Sequence, residues 1–461
     1  MTFKYRRTIN TLARLTFMAA LVAAFYAVWQ WAYTETTFFD LGNYVVMLSY
    51  AGMMTLFMAV YGGLRVGSLR ITNLFLSCFF ALFFANFFIY LELSLIARAM
   101  LKLWPILALQ GAQTVLALLG CYVMNTVYYA LNSVRDVVAI YGGDAADEAV
   151  ARKMGLYSRQ FRIARVLSAE APLDEIRRAM APYDSVLLGA MDAGRRRDIF
   201  NECYRLGKRV NIIPDPADIA LSVAHQTQLA DTPILLCKNR ELTPEQRLVK
   251  RLMDLVIAAA MLVIVSPVML LVALIIKLQD GGPVFYRQAR LTAGGQPFNI
   301  IKFRSMCVDA DRDRQHETLR AVNNDERITS IGAFLRRYRL DELPQLLNVL
   351  AGDMSVVGPR PERVEHYDLY TRELPAFSLR LRVKAGLTGY AQIYGRYNTT
   401  PRDKLNMDLF YIESYSLLQD LRLLFMTVKV LFLPESTQGF ADLPQAQRDD
   451  PAPQEREQDA G

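Results

Sequence analysis

Four long apolar stretches dominate the first part of the chain, at residues 15–33, 44–62, 71–96 and 104–131. Each is close to the ~20 residues that a helix needs to span a bilayer. The first is too long and too aromatic for a signal peptide. Basic residues flank both ends of this region, while the loop 34–43 has none. The positive-inside rule therefore predicts a four-helix transmembrane bundle over residues 1–133 with both ends in the cytoplasm. Arg98 and Lys102, in the other outer loop, depart mildly from this pattern.

Short apolar runs alternate with helical segments from residue 134 to residue 240. The run 137–140 is typical of a buried parallel strand, and further strand-like runs follow at 161–163, 185–188 and 209–213. Residues 172–180 and 195–206 have helical character. This alternation predicts a small, doubly wound, Rossmann-like α/β domain. The turn after the first run reads Gly142-Gly143-Asp144 and lacks the later glycines of a dinucleotide fingerprint. The pattern favours a structural or regulatory role over bound NAD.

The stretch 255–276 is apolar except for Ser266 and Pro267 at its centre. A full crossing would place everything after residue 277 outside, away from nucleotide-activated substrates. Pro267 removes one helical hydrogen bond, and Ser266 can satisfy the freed backbone group. We predict a re-entrant helix that breaks at these two residues and returns to the cytoplasmic face, with an ordinary kinked span as the alternative. The apolar clusters in residues 405–434 indicate interfacial amphipathic helices. The polar composition of the tail 435–461 indicates disorder.

Composition narrows the chemistry. The chain is 53% hydrophobic with a formal net charge of +7, as expected of a membrane protein with affinity for anionic lipid. No basic run with interleaved aromatic residues occurs, so no nucleic-acid partner is expected. Five scattered cysteines and three histidines give little support to a disulfide framework, a zinc site or a Ser-His-Asp triad. The carboxylates and basic residues are the better candidates for catalysis.

Asp341 and Glu342 form a carboxylate pair just before Pro344, and leucines follow at helical spacing. The pattern predicts a helix that begins close to Asp341, where the helix dipole favours carboxylates and phosphates. One carboxylate could attack phosphorus while the other holds Mg²⁺. A capping pair beside solvated arginines is the simpler interpretation of the dyad alone. Basic clusters around Lys302 and Arg360 favour two anionic substrates, one of them linked to a lipid.

Several motifs follow one another in a recognisable order. They are Lys250-Arg251, Asp254, Ser266-Pro267, Gly282–Phe285, Lys302–Met306, Asp325, Arg327, Thr329, Leu340–Gln345 and Gly352–Pro361. Over residues 248–434 they resemble the monotopic phosphoglycosyl transferases, also called bacterial sugar transferases. The domains ahead of them resemble the long form that primes exopolysaccharide, capsule or O-antigen repeat units. One departure is Ala385, where a proline is usual.

The resemblance implies a mainly helical monotopic catalytic domain over residues 245–434, at the cytoplasmic face of the bacterial inner membrane and in contact with its lipids. It implies that Asp341 takes a sugar-phosphate from a UDP-sugar, UDP-glucose or UDP-galactose above all, with release of UMP, and passes it to undecaprenyl phosphate. Asp341 and Glu342 would be catalytic and would hold Mg²⁺. The implied substrate-binding residues are Lys302, Arg304, Arg336, Gln345, Arg360 and Arg363.

Other functions are weighed against this one. A membrane-bound sensor or scaffold would carry an inert dyad, and the intact acidic and basic motifs argue against that. A polytopic transferase would need carboxylates within the membrane, and in the four N-terminal stretches Glu92 is nearly alone. The oligomeric state stays open, with a homodimer as one alternative.

Overall fold

The structure, a computed structural model, describes residues 3–38, 41–142, 161–237, 242–307, 327–395 and 399–432. It divides into two compact units, Met1–Ser222 and Val223–Gly461. Both contain helices and strands, so the fold is mixed α and β. Gly143, Asp144, Asp325 and the tail 435–461 lie outside the described residues.

Long apolar helices form the first part of the N-terminal unit. They are α1 (Phe3–Ala32), α2 (Gly42–Tyr61), α3 (Ile71–Ala97) and α4 (Trp104–Leu131). Buried polar side chains link them, since Asn86 of α3 donates to Gln113 of α4 at 2.9 Å and accepts from Tyr50 of α2 at 3.0 Å. Within the described ranges, five helices of the chain are long and apolar enough to cross a membrane. The protein is therefore membrane-associated.

A parallel sheet forms the second part of this unit. Its strands are β1 (Arg135–Tyr141), β2 (Phe161–Ser168), β3 (Ser185–Leu188) and β4 (Arg209–Ile212), and its helices are α5 (Leu173–Met180), α6 (Ala193–Arg205) and α7 (Pro216–Ser222). The order β2-β1-β3-β4, with every pairing parallel, confirms the predicted strand type. Val138, Ile140 and Val186 are fully buried, which explains their unbroken apolar runs.

The second unit opens with a hairpin of β5 (His225–Leu229) and β6 (Thr232–Leu236), followed by the 37-residue helix α8 (Pro244–Asp280). A capping box between Thr243 and Gln246 begins α8. Pro267 lies within α8 and cannot donate to the carbonyl oxygen of Val263, four residues earlier. The Ser266 hydroxyl donates to that oxygen instead, at 2.9 Å. The predicted compensation of Pro267 by Ser266 is therefore confirmed. The helix nevertheless continues through both residues, so the predicted break in it is not present.

The remaining elements of this unit are short. They are β7 (Phe285–Leu291), β8 (Pro297–Phe303), α9 (Ser330–Arg337), α10 (Gln345–Ala351), β9 (Ser355–Val357), α11 (Val364–Glu373), β10 (Gly386–Thr388), α12 (Tyr390–Tyr394), α13 (Pro401–Glu413) and α14 (Leu417–Leu431). Strands β7 and β8 form an antiparallel hairpin, whereas β9 and β10 pair in parallel. Strand β8 and the turn after β9 both lead to the Asp341–Glu342 dyad, through Lys302 and Arg360.

Candidate active site

The carboxylate dyad lies on a 3-10 turn, Leu340–Glu342, and not on an α-helix. Helix α10 begins only at Gln345, so the predicted helix start falls slightly later than expected. Arg339 precedes the turn with φ of 54°, a left-handed conformation that is uncommon for a residue other than glycine. Leu340 and Leu343 pack against a cluster of Val272, Ile276, Phe303 and Leu335. The second half of α8 therefore packs against the turn that carries the dyad.

Glu342 is held by two cations. Arg360 donates to both of its carboxylate oxygens, with Nη1 3.3 Å from Oε2 and Nη2 on Oε1. Lys302 Nζ lies 3.6 Å from Oε1. Burial by itself raises the pKa of Glu342, but Arg360 and Lys302 outweigh it and hold that pKa well below its usual range. Glu342 is thus a fixed anion.

Asp341 is in a different state from its neighbour. Among the described residues, no hydrogen bond engages its carboxylate. Burial and the charge of Glu342 raise the pKa of Asp341 to about 6, against the opposing effects of Lys302, Arg360 and Arg336. Two adjacent carboxyl groups whose pKa values are pushed apart are typical of groups with different roles in a reaction. Within the described part of the chain, Asp341 is the carboxylate of the dyad that is not held by a hydrogen bond.

Helix α10 positions Lys302 across the dyad. The Asn348 side chain accepts from the backbone N–H of Ile301 at 2.9 Å and donates to the carbonyl of Asn299 at 2.8 Å. This clamp fixes the register of β8 against α10, so Lys302 at the end of β8 faces Glu342. Burial is the main cause that lowers the pKa of Lys302.

The turn after β9 positions Arg360. The N–H of Gly386 donates to the carbonyl of Pro359 at 2.8 Å, and the Arg380 guanidinium donates to the carbonyl of Arg360 at 2.8 Å. A Cβ on Gly358 would lie 2.4 Å from the carbonyl oxygen of Lys384, so only glycine permits this approach of the two backbones. The Arg360 side chain is aimed at Glu342 by backbone contacts on both sides.

The structure brings some of the other predicted residues together and leaves others apart. Arg336, on α9, is close enough to Asp341 to lower its pKa. Arg304 instead pairs with Asp280 at the end of α8, because β8 ends at Phe303. Gln345 is 2% exposed, and its Nε2 has no hydrogen-bond partner within the described ranges. Arg363 is exposed and forms a backbone bridge with Arg290.

Three basic residues beside the site were not selected from the sequence: Arg290, Arg339 and Arg380. In β7 the even-numbered residues, Arg290 among them, are partly buried, whereas Phe285, Arg287 and Ala289 are exposed. A partly buried arginine on a strand needs a partner or a ligand. Arg380 had no local signal, since its partners lie 18 to 28 residues away.

Comparison with known proteins identifies the family of the second part of the chain. The family model for the bacterial sugar transferases matches residues 245–434. The UDP-glucose:undecaprenyl-phosphate glucose-1-phosphate transferase of Caulobacter vibrioides is 41% identical over 192 residues, 41% of this chain and 71% of that protein. The exopolysaccharide production protein ExoY of Rhizobium meliloti is 36% identical over 220 residues, 45% of this chain and 96% of that protein. The chain belongs to the bacterial sugar transferase family.

A longer relative matches less completely. The UDP-glucose:undecaprenyl-phosphate glucose-1-phosphate transferase of Escherichia coli K12 is 37% identical over 242 residues. That match covers 51% of this chain and 52% of the relative, so the chain spans about half the length of the Escherichia coli protein.

Proposed function

We propose that this protein transfers a sugar-1-phosphate from a UDP-sugar to undecaprenyl phosphate, with Asp341 as the nucleophile and UMP as the first product. The contrast within the dyad carries the proposal. Glu342 is held by Arg360 and Lys302, while Asp341 has no hydrogen bond among the described residues and is partly buried. A poorly solvated, mostly ionised carboxylate next to cations is suited to attack an electrophilic phosphorus.

The charge around the dyad supports anionic substrates. Four cationic side chains interact with the two carboxylates of the dyad, so positive charge exceeds negative charge by two. These cations are Lys302, Arg336, Arg339 and Arg360. This excess of positive charge suits two anionic substrates that bind one after the other, a nucleoside diphosphate and then a lipid phosphate. Arginine binds phosphate oxygens in a bidentate manner.

Mg²⁺ fits the dyad only with help from a substrate. Within the described part of the chain, no group of three His, Cys, Asp or Glu side chains is placed to hold a metal. Asp341 and Glu342 would therefore supply one or two oxygens, and diphosphate oxygens and water would complete the coordination, as is usual for this ion. When bound, Mg²⁺ would neutralise charge on the diphosphate.

The contacts of α8 support a re-entrant helix. Near its start, Asp254 accepts hydrogen bonds from the backbone N–H of Val356 and from Ser355, at 2.9 and 3.0 Å. Near its end, Ile276 packs on Phe303. Twenty-two residues of straight helix span about 33 Å, slightly more than the hydrocarbon core. One compact unit contacts both ends, which favours both ends on the cytoplasmic face of the inner membrane, with the exposed apolar middle inserted.

The names of the relatives guide the choice of donor. Several are called glucose-1-phosphate transferases, and one from Aeromonas hydrophila is called an N-acetylgalactosaminephosphotransferase. We propose UDP-glucose or UDP-galactose as the donor and exopolysaccharide, capsule or O-antigen assembly as the pathway class. Membranes containing the full chain should release UMP from one member of a UDP-sugar panel.

The test of the nucleophile is Asp341→Asn. Its UMP release should fall by more than about 10³-fold, because an amide cannot form the acyl phosphate. The wild type is mixed with a UDP-sugar labelled in its sugar-phosphate and the reaction is rapidly quenched. The label should then be found on the peptide that contains Asp341. Asp368→Asn, an exposed carboxylate on α11, is the matched control. Normal turnover by Asp341→Asn would remove Asp341 from this role.

A further inference from the structure

The cationic surface of the site continues beyond the dyad to Arg290 and Arg363. Their backbones form an antiparallel bridge that joins β7 to the start of α11. Arg290 donates from Nη1 to the carbonyl of Pro361 at 3.2 Å and from Nη2 to Gln288 at 2.7 Å. These contacts fix the Arg290 guanidinium against the same turn that carries Arg360.

The charge of this pair is not balanced within the described residues. Arg290 Nε is buried and has no hydrogen-bond partner there. Glu362, a carboxylate that interacts with Arg290, is shared with Lys404 at 2.5 Å and Arg380 at 3.3 Å. Burial, and then the like charges of Arg360 and Arg363, lower the pKa of Arg290 to about 10. A buried donor without a partner, between like charges, indicates a place for an anion.

Lys302 and Arg360 connect this pair to the dyad. Both interact electrostatically with Asp341 and Glu342 on one side and with Arg290 on the other. Contacts link the dyad to this pair in order. Arg360 donates to Glu342, Arg290 donates to the carbonyl of Pro361 next to Arg360, and the backbone of Arg363 pairs with that of Arg290.

This inference rests on the proposed function, in which two transfer steps occur at the same phosphorus beside these basic residues. First, an Asp341 oxygen attacks the sugar-bearing phosphorus, and the bond from that phosphorus to the bridging oxygen breaks, leaving its electron pair on UMP. Then an oxygen of the lipid phosphate attacks the same phosphorus, and the bond to Asp341 breaks, returning its electron pair to the carboxylate. Entering and leaving oxygens are roughly in line in such transfers. UMP departs, and the lipid phosphate enters, opposite Asp341.

We propose that Arg290 and Arg363 form a single phosphate subsite that holds the UMP phosphate in the first step and the lipid phosphate in the second. The nucleotide and the lipid headgroup thus use one set of donors in turn. Lys302 and Arg360 bind the transferred phosphoryl group between this subsite and Asp341.

Inhibition of the full chain in nanodiscs by the product UMP tests whether the nucleotide and the lipid phosphate share one subsite. With one subsite, UMP and undecaprenyl phosphate compete for the same covalent enzyme form, so UMP inhibits competitively against undecaprenyl phosphate. With two subsites, UMP competes with the UDP-sugar and not with the lipid. The second pattern would overturn the shared subsite while leaving the aspartyl mechanism intact. A wild type that releases no UMP from any UDP-sugar would instead overturn the proposed function and this subsite together.

Substitution tests the residues. Arg290→Gln and Arg363→Gln should each raise the KM for the UDP-sugar and for undecaprenyl phosphate by about tenfold or more, since each loses a charged hydrogen bond. Arg290→Lys, which keeps the charge, should recover part of this loss. Arg363 is exposed, so its variant remains informative if Arg290→Gln fails to fold. Arg372→Gln, an exposed arginine at the other end of α11, should change neither KM. A rise in only one KM, or in neither, would refute the assignment.

Discussion

Replacing Arg380 by glutamine would test how far the site depends on a buried ion-pair cluster. The Arg380 side chain is 2% exposed, and Nη2 lies 2.7 Å from Oδ2 of Asp408. It also contacts Glu362 and donates to the carbonyl of Arg360. In Arg380→Gln, Glu362 keeps Lys404, but Asp408, which is 1% exposed, loses the cation beside it.

The size of the effect follows from the state of Asp408. A buried carboxylate that loses its partner takes up a proton instead of remaining charged. Protonating an aspartate of ordinary pKa, about 3.9, costs about 4 kcal/mol at pH 7 and about 1.5 kcal/mol at pH 5. Burial raises the pKa of Asp408 even in the presence of Arg380, so the wild type already bears part of this cost and the full value is an upper limit. We expect Arg380→Gln to destabilise the second unit by about 1–4 kcal/mol at neutral pH.

The sign of the pH dependence is a separate check. In the variant the folded-state pKa of Asp408 lies above its unfolded value. Its stability contribution is therefore fully present below the unfolded pKa and is lost as the pH rises. The difference from wild type should grow from pH 5 to pH 7. In an Asp408→Asn background, Arg380→Gln should have nearly the same effect at both values.

Pulse proteolysis in urea, with detection through a C-terminal tag, is the suitable assay. Tryptophan fluorescence would report on the wrong unit, because Trp29, Trp31 and Trp104 all lie in the N-terminal one. A loss of less than about 1 kcal/mol at pH 7, or one that is equal at pH 5 and pH 7, would refute the reasoning. Release of UMP should fall in parallel, because Arg360 loses the donor to its carbonyl.

Two further predictions concern the backbone and the membrane. Gly358→Ala should lose most UMP release and about 1–3 kcal/mol of stability, because the new Cβ would meet the Lys384 carbonyl oxygen at 2.4 Å. Gly111→Ala, whose Cβ meets nothing within 4 Å, is the control. Equal stability and activity of the two variants would refute the predicted strain. Cysteines at Glu245 and Arg287 should react with an impermeant maleimide from the cytoplasmic side alone, and labelling from opposite sides would exclude the re-entrant α8.

Much of the fold was predictable because its signals are local. The apolar stretches and the buried strands of the parallel sheet are read from runs and periodicity that need no knowledge of partners. The dyad turn was nearly predictable, since Pro344 restricts where α10 can begin. Its true form, a 3-10 turn after a left-handed Arg339, depends on how Leu340 and Leu343 pack against α8.

The pairing within the site was less predictable. Lys302 and Arg304 share one face of an extended segment, yet only Lys302 meets Glu342. The strand ends between them, and Arg304 turns to Asp280, 24 residues earlier in the chain. Arg290 is partly buried on β7, and its neighbour Arg363 is brought there by a separate element.

The sequence by itself determined the apolar helices, the parallel strands and the presence of two adjacent carboxylates among arginines, because each is set by side chains close together in the chain. Only the tertiary structure decided that Glu342 is paired while Asp341 has no hydrogen bond to its carboxylate from the residues that the structure describes. That difference depends on Arg360 and Lys302, which lie on separate elements and are fixed by Arg380, Gly358 and Asn348. Charge pairing acts through space over a few ångströms, and sequence spacing does not encode it.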